Sequence, residues 1–133
     1  MNLLQQSLAA KRVLTDDQLL QTAQSIADLQ LESGMIPWFE GGHCDPWNHV
    51  ETAMALDVMG LHQNSRRAYQ WLKETQRPDG SWPNYYNSDG SVEDFKLDSN
   101  VCAYIGTGLW HHWLCTQDLE SLRKFWPMLE RAM

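Results

Sequence analysis

Carboxylate side chains lie beside aromatic and histidine side chains in two stretches of the sequence, residues 38–51 and 82–100. A carboxylic acid can donate a proton and a carboxylate can accept one, so such groups serve as acid and base catalysts. Aromatic rings stabilise a carbocation through cation–π attraction or stack on the face of a sugar. Four carboxylates in these stretches are therefore candidate catalytic groups: Glu51, Asp45, Asp94 and Asp98.

The other polar and aromatic side chains of the two stretches are candidates for binding a substrate. Several candidates also have a structural explanation. Asp45 and Asp98 precede predicted helices, where an aspartate caps the first turn. Glu51 falls on an apolar helix, where a buried carboxylate needs a partner, so catalysis and structural pairing both stay open. The candidate binding residues are Glu40, His43, Trp47, His49, Tyr85, Tyr86, Lys96 and Asn100.

The composition is typical of one folded domain, with 43% hydrophobic and 20% charged residues in a chain of 133. The formal net charge of −7 disfavours nucleic acid and anionic membrane surfaces as partners, because both are polyanions. Three cysteines without CxxC spacing predict no disulfide framework, which fits a cytoplasmic protein. Met1 to Val13 lack the pattern of a signal peptide. Val101 to Cys115 is shorter than the roughly 20 residues that span a bilayer, so no transmembrane segment is expected.

Capping residues and apolar side chains three or four positions apart predict five helices. The connection from Arg77 to Leu97 is predicted as a long loop, and loops of this length often carry function. His111 and His112, on the fourth helix, are expected to pack or to hydrogen-bond a neighbouring helix rather than to bind a metal. The predicted helices begin at or just after Thr15, Asp45, Ser65, Asp98 and Asp118.

An internal repeat with an offset of 46 positions relates the first and third helices. It aligns Gln30 with Gln76 and Gly34 with Gly80, and it places Trp38 loosely opposite Trp82. Each unit then consists of an amphipathic outer helix, a Gln-Gly-Trp turn, a loop and an apolar inner helix. Stacked helical repeats bury their faces against neighbours, so two units predict part of a larger assembly.

The second turn resembles the QW repeat of the squalene and oxidosqualene cyclases. The matching positions are Arg67-Ala68, Trp71-Leu72, Gln76 and Gly80-Ser81-Trp82. In that family the Gln and Trp side chains tie the ends of outer helices together in an α/α toroid. The resemblance implies an all-α fold, a partial (α/α) toroid of alternating outer and inner helices, and a fragment of a full (α/α)6 barrel. Structural roles would then fall to Gln30, Gly34, Trp38, Gln76, Gly80 and Trp82.

The same resemblance implies a function and a domain organisation. We expect a terpenoid cyclase or prenyltransferase-like domain that handles an isoprenoid or lipid-linked substrate in an aromatic, acidic central cavity. Residues 1–133 would form a single domain, the N-terminal portion of a toroid whose remainder lies in a longer chain. The Asp-x-Asp-Asp motif of the cyclases is missing, and His43-Cys44-Asp45 has zinc-binding residue types at adjacent positions that seldom converge on one ion. No metal and no cofactor are therefore expected.

A second resemblance concerns residues 96–133. Leu97-Asp98-Ser99-Asn100, Gly108-Leu109-Trp110-His111-His112-Trp113 and Phe125-Trp126-Pro127 resemble a helix pair of the glucoamylase-like six-hairpin glycosidases. The alternative function is therefore a carbohydrate-active enzyme of that type, acting on a glycan or a glycolipid. Since no complete catalytic motif is present, a non-catalytic binding or scaffold domain is a further alternative.

Overall fold

Helices make up most of the computed structural model, which describes residues 13–133. The prediction of an all-α fold is confirmed. The prediction about a signal peptide concerns residues that lie, apart from Val13, outside the described part. None of the helices within residues 13–133 combines the length and apolar character that crossing a bilayer requires. The helices are α1 (Asp16–Leu29), α2 (Pro46–Val58), α3 (His62–Thr75), α4 (Ser99–Thr116) and α5 (Leu119–Ala132), and two short strands are β1 (Tyr85–Tyr86) and β2 (Val92–Asp94).

Local capping determines where four of these helices begin. The Thr15 hydroxyl accepts a hydrogen bond from the Gln18 amide in a capping box at the start of α1. The carboxylates of Asp45, Asp98 and Asp118 cap α2, α4 and α5 in the same way. The exception is α3, which begins at His62 without a side-chain cap, three residues before the predicted start. Helix α3 packs its amphipathic face against α2 and α5, and capping residues alone do not predict where such a helix begins.

The helices form an inner pair with three outer helices packed around it. Helix α2 packs against α4, α3 and α1, while α5 packs against α4 and α3. Close approach of the inner pair depends on Gly108 of α4, because a Cβ atom there would lie 2.4 Å from Cγ1 of Val50 on α2. Buried side chains from α2 to α5 fill the core between the layers, among them Leu56, Tyr69, Leu72, Ile105, Leu109, Phe125 and Met128.

The glutamines of the two turns make equivalent hydrogen bonds. The Gln30 amide donates to the Gly34 carbonyl at 2.9 Å and to the Asn64 carbonyl at 3.0 Å. The Gln76 amide donates to the Gly80 carbonyl and to a carbonyl of α5, both at 2.9 Å. Each glutamine therefore closes its own turn and attaches that turn to the next outer helix.

The two turn glycines lie against the backbone of that next helix. Gly34 and Gly80 have positive φ angles of 96° and 86°. A Cβ atom on Gly34 would meet the Arg67 carbonyl oxygen, and one on Gly80 would meet the Arg131 carbonyl oxygen. Glycine is required at both positions by the backbone angle and by the close contact.

The tryptophans of the two turns, in contrast, have different environments. Trp82 is fully buried, and its indole nitrogen donates to the Leu72 carbonyl at 2.9 Å. Trp38 is 49% exposed, and its indole donates instead to Asp45. Ile36 is buried two positions after its turn glycine, as Trp82 is after its own. The extra residues between Gly34 and Trp38 carry the indole past the core, so the structure does not give Trp38 the place of Trp82.

A β-hairpin lies inside the connection that the sequence predicted to be a loop. Strands β1 and β2 pair antiparallel around a turn in which Gly90 has a φ of 84°. Cys44 pairs with Tyr86 through two backbone hydrogen bonds of 2.9 and 2.8 Å. The two segments that lead into α2 and α4 are therefore joined at the amino-terminal end of the inner pair.

Candidate active site at the amino-terminal end of the inner helices

Asp45 is buried at the start of α2, with 6% of its surface exposed. Its Oδ1 accepts from the Asn48 backbone amide at 2.9 Å. Its Oδ2 accepts from the Trp38 indole at 2.6 Å and from the Asn48 side-chain amide at 2.8 Å. A carboxylate has about four acceptor positions, so three donors orient the group and leave capacity for one more partner.

A groove of about 310 Å³ lies next to this carboxylate, between α1 and the beginning of α2. Two of the residues that line it, Trp38 and Asn48, are the donors to Asp45. The remaining lining residues are mostly apolar: Ile26, Leu29, Ile36, Pro37 and Thr52. Two residues that hydrogen-bond Asp45 therefore line an open groove with a largely apolar wall.

Aromatic rings and one contact between a histidine and a glutamate connect the two loops beside Asp45. The His43 ring meets Trp38 edge-on at 4.6 Å between centroids and lies 5.0 Å from Tyr85. His43 Nδ1 is 3.1 Å from Glu93 Oε2 across the gap between the loops. The structure thus brings together His43 and Tyr85, two of the predicted binding residues, with Trp38 and Glu93.

Glu51 lies on the exposed side of the contact between α2 and α4 rather than in an apolar interior. Its Oε1 accepts from the Trp47 indole at 3.0 Å and from the Tyr104 hydroxyl at 3.2 Å. The two rings stack at 4.0 Å with an interplanar angle of 5°. Partial desolvation and the neighbouring Glu51 raise the pKa of Tyr104. Tyr104 is not identifiable from the sequence as a partner of Glu51, because it lies 53 positions away on another helix.

His49, predicted to bind substrate, is instead part of the core. It is 1% exposed, Nδ1 accepts from the Ile36 amide at 3.2 Å, and Nε2 donates to the Ala68 carbonyl at 3.0 Å. Burial lowers the pKa of His49 to about 4, since the low-polarity interior disfavours the charged ring. The structure places the predicted binding residue His49 between Ala68 of α3 and the backbone of Ile36, apart from the groove beside Asp45.

Three other predicted binding residues also lie apart from Asp45 and its groove. Tyr86 is 3% exposed and packs against Trp71 at 5.0 Å. Glu40 lines a separate groove beside α1. Lys96 is exposed, and its backbone carbonyl accepts from the Asn84 amide at 2.9 Å.

Asp94 and Asp98 each serve a local backbone feature. Asp94 accepts from the Lys96 amide at 2.9 Å, and Asp98 accepts from the Asn100 amide at 2.8 Å. Neither carboxylate lines the groove, and neither accepts a hydrogen bond from Trp38 or Asn48, the two lining residues that donate to Asp45. Asn100 is exposed in the first turn of α4.

A buried polar cluster occupies the other end of the inner pair. Asp57, with a fully buried side chain, accepts from His112 at 2.8 Å, from Ser65 at 2.7 Å and from His62 at 3.0 Å. Desolvation acts to raise the pKa of Asp57, but the hydrogen bonds from His112, His62 and Ser65 outweigh it and the pKa is lowered. The expectation that His112 bonds a neighbouring helix is confirmed.

The Asp57 cluster is not arranged like a Ser-His-Asp triad. Ser65 and Asp57 both approach the same ring nitrogen, Nδ1 of His112. In a triad the serine and the aspartate contact opposite nitrogens of the histidine, so that a proton can pass through the ring. The cluster therefore ties α2, α3 and α4 together and has no nucleophile aimed at a substrate.

Comparison with known proteins connects the chain to glycoside hydrolases. It is 55% identical over 121 residues to the MMP endo-(1,4)-3-O-methyl-alpha-D-mannosidase of Mycolicibacterium hassiacum, a match covering 91% of this chain and 33% of the relative. It is 28% identical over 83 residues to an uncharacterized glycosyl hydrolase of Methanocaldococcus jannaschii, covering 60% of this chain and 13% of that protein. No protein-family model matches.

The chain thus spans about a third of the length of the first relative and less of the second. Both relatives are named as glycoside-hydrolysing proteins. Their names support the glycosidase-like alternative, and they give no support to the interpretation as a terpenoid cyclase.

Proposed function

We propose that this chain is part of a glycoside hydrolase that cleaves α-(1,4) linkages between 3-O-methylated mannose units. The observation that carries the proposal is the 55% identity to the named endo-mannosidase, which extends over 91% of the chain. The proposed substrate is a saccharide instead of an isoprenoid. The remainder of the helical toroid would lie elsewhere in a longer protein, and the chain would supply two of its helix pairs.

Asp45 is our candidate for one of the two catalytic carboxyl groups. In glycoside hydrolysis one carboxylic acid protonates the leaving oxygen, and a carboxylate either activates water or attacks the sugar. Three donors already hold the Asp45 carboxylate in one orientation. Its position before α2 suits an ionised group, because the helix dipole favours negative charge at that end. We therefore assign Asp45 the ionised role.

The second carboxyl group belongs, in this proposal, to a part of the enzyme that this chain does not include. Asp94 and Asp98 are engaged in local turns, and Glu51 anchors two aromatic rings. Catalytic pairs are separated by roughly 5 to 9.5 Å, depending on whether the enzyme retains or inverts configuration. The loop aromatics around His43 would shape the sugar site next to Asp45.

The direct test is hydrolysis by the intact protein. Purified protein is incubated with an α-(1,4)-linked oligosaccharide of 3-O-methylmannose, and the products are followed by mass spectrometry. We expect shorter methylmannosides, and much slower cleavage of an unmethylated α-(1,4)-glucan of the same length. An unchanged methylmannoside under conditions where the protein is folded would contradict the proposal.

The role of Asp45 is tested by Asp45→Asn, with Asp118→Asn as the matched control. Both residues cap a helix, and asparagine caps nearly as well as aspartate. At position 45 the asparagine NH2 would face the Trp38 and Asn48 donors, so a thermal melt checks that each variant keeps the fold. We expect Asp45→Asn to lower kcat at least ~1,000-fold, equivalent to about 4 kcal/mol of barrier. Asp118→Asn should retain full activity. Activity of Asp45→Asn within threefold of the parent would remove Asp45 from the mechanism.

A further inference from the structure

We propose that Trp47, Tyr104 and Glu51 form a sugar-binding platform on the exposed side of the inner helix pair. The identity of the sugar, an O-methylated mannose unit, rests on the proposed function. The platform would hold a unit of the oligosaccharide away from the bond that is cleaved. Trp47 and Tyr104 would provide the stacking surface, and Glu51 would position both rings.

The geometry of the three side chains supports a preformed binding surface. The Trp47 and Tyr104 rings are nearly parallel, 5° apart, at a centroid distance of 4.0 Å. One oxygen of Glu51 accepts hydrogen bonds from both rings. Each ring covers one face of the other, and the polar ends of both are directed to Glu51, so the outer ring faces are the apolar surface that a ligand can meet. Both rings are only partly buried, so some of that surface stays in contact with solvent.

The backbone approach of α4 to α2 holds the two rings at stacking distance. Gly108 allows this approach, since any side chain there would collide with Val50. Tyr104 lies one turn before Gly108, and Trp47 lies one turn before Val50. The ring pair is therefore set by the helix contact and does not depend on a flexible loop, which lowers the entropy lost when a ligand binds.

Two features of the platform fit a methylated sugar. Aromatic rings gain from covering apolar C–H surface, and an O-methyl group enlarges that surface while removing a hydroxyl that would otherwise lose its water. The exposed Glu51 carboxylate uses Oε1 for the rings, which leaves Oε2 available to accept a bond from a neighbouring free hydroxyl. A sugar with one methylated and one free hydroxyl therefore suits the platform better than a fully polar one.

The test is a titration of the intact protein with an α-(1,4)-linked 3-O-methylmannose oligosaccharide, measured by calorimetry and by tryptophan fluorescence. We expect Trp47→Ala and Tyr104→Ala each to weaken binding at least tenfold. Trp47→Phe, which keeps a smaller ring, should weaken it less. The unmethylated mannose oligosaccharide should bind the parent more weakly and should be less sensitive to these substitutions.

Two substitutions of Glu51, Glu51→Gln and Glu51→Leu, test whether this residue positions the two rings. The glutamine oxygen can still accept from both rings, so Glu51→Gln should bind within about threefold of the parent. Leucine cannot accept, so Glu51→Leu should weaken binding and should also change the fluorescence of Trp47. A purely structural clamp would lower the melting temperature of Glu51→Leu without changing the affinity for the saccharide.

The outcomes separate the platform from the proposed function. If the parent hydrolyses the methylmannoside and Trp47→Ala binds it with unchanged affinity, the platform is wrong and the function stands. If the parent binds through Trp47 but does not hydrolyse, the platform stands and the function fails. Absence of binding by the folded parent overturns the platform. Should Trp47→Ala fail to fold, Trp47→Phe and Tyr104→Phe provide the same comparison with smaller changes.

Discussion

Helix α2 carries a buried aspartate at each end, and the two differ in what surrounds them. Asp45, at the amino-terminal end, is held by neutral donors, and two of these donors line an open groove. Asp57, at the other end, is enclosed by Ser65 and two histidines. Burial and hydrogen bonding are common to both. The two sites differ in whether a ligand can approach the residues around the carboxylate. We therefore consider a catalytic role for Asp45, whose partners line a groove, and a structural role for Asp57.

Among the substitutions below, Asp57→Ala at the enclosed end of α2 should cause the greatest loss of stability. Asp57→Ala removes the acceptor for three buried or half-buried donors and leaves His112 without its partner. We expect the free energy of unfolding to fall by roughly 3–5 kcal/mol, measured by urea denaturation. The control Asp28→Ala, on the exposed face of α1, should change it by less than about 0.5 kcal/mol. Similar losses in both variants would contradict a structural role for the Asp57 cluster.

The second prediction is that His49, one turn after Asp45, makes the stability of the protein depend on pH. Its folded pKa of about 4 lies below the unfolded value of 6.5, so the unfolded state takes up a proton first as the pH falls. Stability from the neutral ring is complete above pH 6.5 and decreases toward pH 4, by about 3 kcal/mol in total.

Denaturation curves between pH 7 and 4 measure the His49 effect. His49→Gln should flatten this part of the stability profile even if it lowers stability overall. An unchanged slope in the variant would show that other groups cause the acid sensitivity. Asp57, whose pKa is lowered, loses its contribution only at more acidic pH.

The two glutamine turns should contribute less to the free energy of unfolding than the Asp57 cluster does. Gln76→Ala removes two hydrogen bonds to backbone carbonyls, one of them on α5, and also the oxygen that accepts from the exposed Arg131 guanidinium. We expect a loss of roughly 1–3 kcal/mol in the free energy of unfolding. Gln30→Ala, with the equivalent two bonds, should have a similar effect. A melting curve unchanged by either substitution would contradict the role of these glutamines in attaching the outer helices.

The Trp38→Phe substitution tests the open end of α2 and should have the weakest effect of these substitutions. Trp38→Phe keeps an aromatic ring but removes the indole donor to Asp45. We expect about tenfold lower kcat, equivalent to about 1.4 kcal/mol, because the carboxylate is less firmly oriented. Stability should change by less than about 0.5 kcal/mol, since Trp38 is 49% exposed. If Trp38→Phe lowered stability but kept full activity, the open end of α2 would have a structural role and not a catalytic one.

Features that depend on neighbouring residues were predicted well. Capping by Thr15, Asp45 and Asp98 marks helix starts because the side chain bonds an amide two or three positions away. The repeat of glutamine and glycine predicted two similar turns, and the structure contains two turns with the same hydrogen bonds. Trp38, which the repeat places only loosely opposite Trp82, is 49% exposed, because the two extra residues after Gly34 change which side chain reaches the core.

The candidate site was predicted only in part, for a reason of geometry. His49 and Tyr86 belong to stretches rich in polar and aromatic residues, yet both are buried. Tyr104 and Asn48 contact the candidate catalytic groups, yet neither was singled out from the sequence. In each case the outcome depends on which face of a helix or strand meets another element, and composition does not carry that information.

Four capped helices, the two glycine turns and the acidic, aromatic character of the two loops could be read from the sequence, because they follow from interactions over a few residues. Only the tertiary structure decided that Asp45 lies beside a groove, that Asp57 is enclosed, and that Trp47 meets Tyr104 across the inner pair. These relations depend on contacts between separate elements, and the contact between Trp47 and Tyr104 also depends on the close approach of α4 to α2 at Gly108.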